Sequence, residues 1–172
     1  MSSPLAQLFV AVDNGVVYVR VVGRATFAAG VDFKSLLDGV IQQGHQRIAV
    51  DLRECPLMDS TFIGLLTAFG MQLPAKAGAG ISLHHVNERV QGLLTSLGVA
   101  HLFLECNSGD GLPEHLAVQP TGAIHASHLD VQRTCLEAHE KLMAANPENV
   151  ARFKDVTKFL AEDLKKAEAG QV

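Results

Sequence analysis

The sequence predicts an α/β protein in which helices cover a mixed β-sheet and an αα-hairpin follows at the C-terminus. Two runs rich in β-branched residues, 8–12 and 16–22, flank Asp13-Asn14-Gly15, which favours a hairpin turn because Asn and Gly tolerate positive φ. Apolar runs of helix and strand length then alternate up to about residue 104, a pattern typical of a sheet covered by helices. Two more helical stretches follow this alternating region.

Spacing and end signals set the order of the remaining core elements. We expect a helix over 31–43, a strand over 47–52, a helix over 61–73, a strand over 81–85, a helix between Asn87 and Gly98, and a last strand over 99–104. Asn is a favoured N-cap, and Gly commonly ends a helix because it adopts the left-handed conformation.

The composition changes after Cys106, where glycines and prolines indicate a loop. Residues 125–145 then read as a helix, and Asn146-Pro147-Glu148 favours the start of a second one. The second helix carries an apolar stripe of Val150, Phe153, Val156, Leu160 and Leu164. We therefore divide the chain into a domain over 1–106, a linker over 107–122 and a helical extension over 123–172. The stripe packs within the chain or, as the alternative, forms a homodimer or partner contact.

Charge and cysteine content exclude several classes of protein. The chain has 14 Lys and Arg against 18 Asp and Glu, with no basic stripe, so direct nucleic-acid binding is not expected. Three widely spaced cysteines are typical of a reduced compartment rather than a disulfide framework. We read no signal peptide in the first eight residues and no apolar run near the ~20 residues of a membrane span. These observations favour a cytoplasmic protein.

The segment between the strand at 47–52 and the helix at 61–73 contains the candidate functional site. Asp59 and Ser60 fall where the helix begins, and both are favoured N-cap types. A phosphate on Ser60 would lie beside unpaired backbone N–H groups and the positive end of the helix dipole, so the fold would tolerate it. Ser60 is thus a candidate switch or a plain cap, Thr61 is the second candidate acceptor, and Asp59 either orients the serine or caps the helix.

The turn Met58-Asp59-Ser60-Thr61, with its preceding strand and following helix, resembles the STAS domain, found in sulphate transporters and anti-sigma-factor antagonists. The resemblance covers about residues 5–105, in motif and in element order, and leaves out the C-terminal helices. The positions that match the family motif are Asp59, Ser60, Thr61, Ile63 and Gly64. Phe62 departs from it, because the family usually has Gly there.

The resemblance implies a bacterial regulator of transcription that acts by protein binding. No catalytic motif surrounds the cysteines and no phosphate-loop fingerprint accompanies Gly78 and Gly80, so we expect neither catalytic activity nor a cofactor. The family's serine that matches Ser60 is phosphorylated by an anti-sigma factor that is also a kinase, and a serine phosphatase reverses this. The unmodified form binds the anti-sigma factor and the phosphorylated form releases it. The expected partner surface comprises Asp59, Ser60, Thr61, Phe62, Ile63 and Leu66.

Two alternatives to this function stay open. In one, the chain is a STAS accessory subunit of a stress-sensing complex or a lipid-transport ATPase, and Ser60 is only a structural cap. In the other, it is a small metal-dependent enzyme or ligand sensor. His84 and His85 are adjacent in a strand and point to opposite faces, whereas Cys135 and His139 have helical i,i+4 spacing. No further ligands accompany these residues, so we expect no metal.

Overall fold

A mixed β-sheet, with six strands among the described residues, forms the centre of the protein. The structure is a computed structural model and describes residues 5–76, 78–105, 112–114, 116 and 118–170. The strands are β1 (Gln7–Asp13), β2 (Val16–Val22), β3 (Arg47–Asp51), β4 (Gly80–His84), β5 (Leu104–Glu105) and β6 (Gln119–Pro120). Their order in the sheet is β5-β4-β3-β2-β1-β6; β1 pairs antiparallel with β2 and β6, and the pairs from β2 to β5 are parallel. The predicted mixed sheet is confirmed.

The opening hairpin forms at the predicted turn. Asn14 and Gly15 have φ values of 48° and 76°, and positive φ at both central positions gives the turn a twist that matches the strands. Alternate residues of β2 then face the helices, and Val17, Val19 and Val21 are fully buried.

Five helices are described, and all of them were predicted. They are α1 (Phe27–Gln42), α2 (Ser60–Gln72), α3 (Glu88–Ser96), α4 (His128–Ala145) and α5 (Asn149–Ala169). Helix α1 begins four residues before its predicted start, because a distant carboxylate, Asp59 Oδ2, accepts a hydrogen bond from the N–H of Phe27. The sequence of residues 27–30 alone does not reveal this hydrogen bond, because its acceptor lies far along the chain.

Two features near the sheet edges differ from the sequence prediction. Residues 99–104 form a 3₁₀ turn at Ala100–Leu102 before the short β5, because the chain leaves α3 with Gly98 in the left-handed conformation and reaches β4 only at Leu104. Strand β6 was not predicted, since Gln119–Pro120 lacks a strand pattern. A proline is accommodated there because β6 lies at the edge of the sheet.

The C-terminal helices form the predicted αα-hairpin and pack on the sheet domain. Helix α4 begins at a capping box in which Ser127 and Asp130 satisfy each other's backbone N–H groups. It lies against α2 and α1, and its Ala138 and Leu142 belong to the same hydrophobic core as the strands. The apolar stripe of α5 is divided: Leu164 is buried, Phe153 and Leu160 are partly buried, and Val150 and Val156 are exposed.

The division into 1–106, 107–122 and 123–172 stays a prediction, and Cys106 with much of the linker lies outside the described residues. In the part of the chain that the structure describes, no helix is both long enough and apolar enough to cross a bilayer.

Candidate functional site

Asp59 organises the start of α2, and it does so as the N-cap. Its Oδ1 accepts a hydrogen bond of 2.9 Å from the N–H of Phe62, and its Oδ2 accepts one of 2.7 Å from the N–H of Phe27. One carboxylate therefore caps α2 and the beginning of α1 together. Ser60 is the first residue of α2, so its hydroxyl is not used for capping.

The hydroxyl of Ser60 contacts a histidine of the C-terminal hairpin. Ser60 Oγ lies 2.9 Å from Nε2 of His139, and His139 Nδ1 lies 2.7 Å from the carbonyl oxygen of Cys135. Since a carbonyl oxygen only accepts, Nδ1 carries the ring proton; in the neutral ring Nε2 is then the acceptor. With the ring neutral, Ser60 is therefore the donor of this hydrogen bond and Nε2 of His139 the acceptor. Ser60 is partly buried and His139 is only 7% exposed.

Thr61 is less accessible than Ser60. It is 4% exposed, and its hydroxyl donates to the Sγ of Cys135 at 3.7 Å. Burial raises the pKa of the Cys135 thiol, the Thr61 contact lowers it, and the nearby Asp59 carboxylate raises it, with a net increase. Cys135 is therefore a neutral thiol near pH 7, and Thr61 faces α4 rather than solvent.

Three residues expected at the partner surface lie in the core. Phe62, Ile63 and Leu66 are all fully buried, and the Phe62 ring lies 4.4 Å from that of Phe33 on α1. These side chains cannot contact a partner in this conformation. The aromatic residue that replaces the family's usual Gly fills the space between α1 and α2.

Glycine at position 64 allows α4 to cross α2 with the two backbones in contact. A Cβ at Gly64 would lie 2.3 Å from the carbonyl oxygen of Ala138 and 2.8 Å from its Cβ. On α1, a Cβ at Gly30 would lie 3.5 Å from Thr134 of α4. Helix α4 is therefore seated on α2, with its backbone against Gly64, a glycine of the family motif.

An ionic contact at the edge of this crossing joins α4 to α1. Lys34 Nζ lies 2.8 Å from the Asp38 carboxylate and 3.9 Å from that of Glu137 on α4. The hydrogen bond to Asp38 raises the pKa of Lys34, so the amine is charged at neutral pH. All three side chains are partly exposed, so this contact contributes little to the attachment of α4.

The sequence did not indicate that His139 and Ala138 belong to this site. The only signal was the i,i+4 spacing of Cys135 and His139, which was considered as a metal pair. In the structure the two residues share a hydrogen bond within α4 instead. Over the described ranges, no three His, Cys, Asp or Glu residues are grouped as metal ligands.

A second polar cluster lies at the carboxyl end of β3. Asp51 is 3% exposed and accepts hydrogen bonds of 3.0 Å from the N–H of Arg53 and from Nδ1 of His85, while Arg20 Nε lies 3.8 Å away. His85 adopts a φ of 55°, which directs its ring to this carboxylate. His84, next to it, contacts the Ser82 hydroxyl. The hydrogen bonds of this cluster join residues at the carboxyl ends of β3 and β4.

Comparison with known proteins identifies the family. A family model described as "Mlab, STAS domain" matches residues 8–105, more than half of the 172-residue chain. The chain belongs to the STAS domain family. The match ends before the C-terminal hairpin, and no curated protein sequence matches the chain.

Solved structures support the same fold. The unphosphorylated form of the anti-sigma factor antagonist SpoIIAA has 19% identity and a TM-score of 0.50, with 59% of this chain and 88% of that chain covered. The protein TM1081 has 17% identity and a TM-score of 0.51, with 58% of this chain and 79% of that chain covered. A crystal structure of TM1081, from Thermotoga maritima, gives 16% identity and a TM-score of 0.50, with 58% of this chain and 86% of that chain covered. These likenesses support the STAS fold for this chain.

Proposed function

We propose that this STAS protein is a phosphorylation-switched anti-sigma factor antagonist that sequesters an anti-sigma factor kinase while Ser60 is unmodified. The proposal rests on the different roles of two residues at the start of α2. Asp59 caps the helix, so the Ser60 hydroxyl is left to contact a side chain of another element. A STAS relative of this fold, SpoIIAA, is described as an anti-sigma factor antagonist with an unphosphorylated form. A cytoplasmic location follows from the proposed use of ATP.

The electrostatics of the site explain how a phosphate would act. Phosphoryl transfer forms a bond from Ser60 Oγ to the γ-phosphorus of ATP, breaks the bond to ADP and releases the hydroxyl proton. The product gains a charge of about −1.5 to −2 and loses its donor hydrogen. The helix dipole at the start of α2 favours this charge, whereas the neighbouring Asp59 carboxylate, which already accepts from the N–H of Phe62, opposes it. A partner seated on Ser60 would have to desolvate it, and a loss of about 1.4 kcal/mol is already tenfold in affinity.

The proposed partner surface is smaller than the one expected from sequence. Asp59 and Ser60 remain on it, whereas Thr61 is buried against α4, and the buried Phe62, Ile63 and Leu66 lie beneath it. A serine phosphatase would restore the hydroxyl. The Ser60–His139 pair has the geometry of a serine and a general base, but its histidine is oriented by a backbone carbonyl. We assign it to contact between helices and propose no catalytic activity.

Phosphate mapping tests this proposal. The chain is incubated with ATP and the kinase that copurifies with it, and phosphopeptides are located by mass spectrometry. We expect one phosphate on Ser60, its loss in Ser60→Ala, and its retention in Ser96→Ala, a matched change at an exposed serine of α3. Undiminished labelling of Ser60→Ala would contradict the assignment.

A second candidate function is that of a constitutive STAS subunit, in a stress-sensing complex or a lipid-transport ATPase. The observation that favours it is the hydrogen bond of Ser60 to His139, which gives the hydroxyl a partner within the chain. Affinity purification from native lysate separates the two candidates. An ATPase or transporter partner with no kinase favours the subunit, and a serine kinase favours the switch.

A further inference from the structure

Helix α4 lies over the surface to which the proposed partner would bind. The hydroxyls of Ser60 and Thr61 both point to α4, where they meet His139 and Cys135. Ala138 lies between these two contacts in the α4 sequence and is fully buried on Gly64. An external protein therefore cannot reach these hydroxyls along this face while α4 is seated.

The two ends of α4 are attached differently. Near its C-terminal end, Leu142 is fully buried in the core, and Asn149 donates hydrogen bonds of 2.9 Å and 2.8 Å to the carbonyl oxygens of Leu97 and Leu142. Over Ser60 the contacts are made by the smaller or polar side chains of Cys135 and His139. Small and polar side chains bury less apolar surface, and a lid over Ser60 requires this part of α4 to separate from α2 before the end that holds Leu142 does.

A phosphate on Ser60 is incompatible with this seating of α4. Ser60 Oγ lies only 2.9 Å from Nε2 of His139, so a phosphoryl group on that oxygen would push the ring out of its present place. The phosphate would also need space between two helices whose backbones touch at Gly64. The same two effects exclude a partner helix that is seated as α4 is.

We propose that α4 is an autoinhibitory lid that occupies, in cis, the groove used by a helix of the external partner. The inference rests on the proposed function. The partner's helix presents a small residue opposite Gly64, as Ala138 does, and a neutral hydrogen-bond acceptor opposite Ser60. It binds only when the lid lifts, so its apparent Kd is the intrinsic Kd divided by the open fraction. Phosphorylation of Ser60 unseats both the lid and the partner.

The first test opens the lid without changing α2. In Ala138→Leu the larger side chain has no room against Gly64; Ala144→Leu is the matched control, since Ala144 is exposed on the same helix. The rate of N-ethylmaleimide labelling is followed by peptide mass spectrometry at Cys135, on the lid, and at Cys55, in the core of the sheet domain. We expect labelling of Cys135 to rise at least tenfold in Ala138→Leu alone, with Cys55 unchanged.

The labelling result decides whether α4 moves as a lid. If Cys55 accelerates together with Cys135, α4 opens only when the whole domain unfolds, and the proposal is wrong. Unchanged labelling of Cys135 in a folded Ala138→Leu variant contradicts it as well. Neither outcome depends on any partner, so a failure here is distinct from a failure of the proposed function.

The second test holds α4 on α2 with a disulfide, in a variant that replaces a threonine by a cysteine of similar size. Thr61 Oγ1 lies 3.7 Å from Cys135 Sγ, so Thr61→Cys brings two sulfurs near the ~2.05 Å of a disulfide after small adjustments. Oxidation then tethers α4 to α2, and reduction of the same variant is its control. Oxidation should lower Ser60 phosphorylation by the copurifying kinase at least tenfold, and reduction should restore it.

The outcomes of this second test separate the two proposals. Undiminished phosphorylation of the oxidised variant overturns the lid. Absence of phosphorylation in wild type overturns the proposed function, and the labelling experiment then decides the lid alone.

Discussion

Substitution of Gly64 by alanine tests the seating of α4 on α2. The added Cβ would lie 2.3 Å from the carbonyl oxygen of Ala138, well inside the separation that nonbonded atoms adopt. The obstructing atom is backbone, so no side-chain rotation relieves the overlap. Helix α4 must move away from α2, and the contacts of His139 and Ala138 with α2 weaken as it does.

The expected change in the free energy of unfolding is the sum of one stabilising and two destabilising contributions. Alanine is favoured over glycine inside a helix by about 1 kcal/mol. Overpacking a tight site costs about 1–3 kcal/mol, and the weakened Ser60–His139 hydrogen bond costs about 1 kcal/mol more. Because the overlap here is between backbones, we take the upper part of that range. The net loss in the free energy of unfolding is then about 2–3 kcal/mol, and Tm falls by roughly 4–12 °C at about 2–4 °C per kcal/mol.

Thermal and urea unfolding, followed by circular dichroism, measure this loss. Gly92→Ala is the matched control: Gly92 is exposed inside α3, and a Cβ there meets nothing within 4 Å. It should stabilise the protein by about 0.5–1 kcal/mol. If Gly64→Ala were also stabilising, α4 would not cross α2 at this glycine, and both the site and the lid would be wrong.

Three further predictions concern carboxylates. Asp59→Ala should lower the free energy of unfolding by about 2 kcal/mol in urea titrations, because it removes caps from two helices; an unchanged midpoint would contradict this. Asp51→Ala should cost about 1–3 kcal/mol in the same assay, because it removes the buried acceptor of the hydrogen bonds from the N–H of Arg53 and from His85; a loss under about 0.5 kcal/mol would refute the assigned role. The hydrogen bond from Ser127 lowers the pKa of Asp130, so its stabilisation of α4 is complete above the ordinary value of 3.8 and is lost as pH falls through the folded-state pKa. The rate of amide hydrogen exchange in the first turn of α4, divided by the intrinsic rate at the same pH, should therefore increase as pH falls below that value. Asp130→Asn should abolish this pH dependence.

Local chemistry was sufficient to predict most of the fold. The Asn14-Gly15 turn, the cap at Asn87 and the apolar spacing of each helix act over a few residues, and the structure has all of them. The start of α1 and the short β5 could not be predicted, because both depend on contacts made elsewhere in the sheet domain. Strand β6 likewise exists through its pairing with β1 rather than through its own composition.

The candidate site was predicted only in part for the same reason. The Asp59-Ser60 turn has a local signature, and the structure places Asp59 at the cap. The contact of Ser60 with His139 joins residues 79 positions apart, which no local pattern encodes. The seating of Ala138 on Gly64 also depends on how the hairpin folds back. Helical spacing identified the apolar residues of α2, but it could not show which of them α4 and α1 would bury.

A chain that carries phosphoserine at position 60 from synthesis, without any kinase, shows whether charge at this hydroxyl releases the partner. Binding of the copurified partner to this chain and to the unmodified chain is compared by calorimetry at equal folded fraction. Phosphoserine at 60 should weaken binding at least tenfold, while far-UV circular dichroism shows the STAS domain intact. Equal affinity for the two chains would contradict the proposed switch.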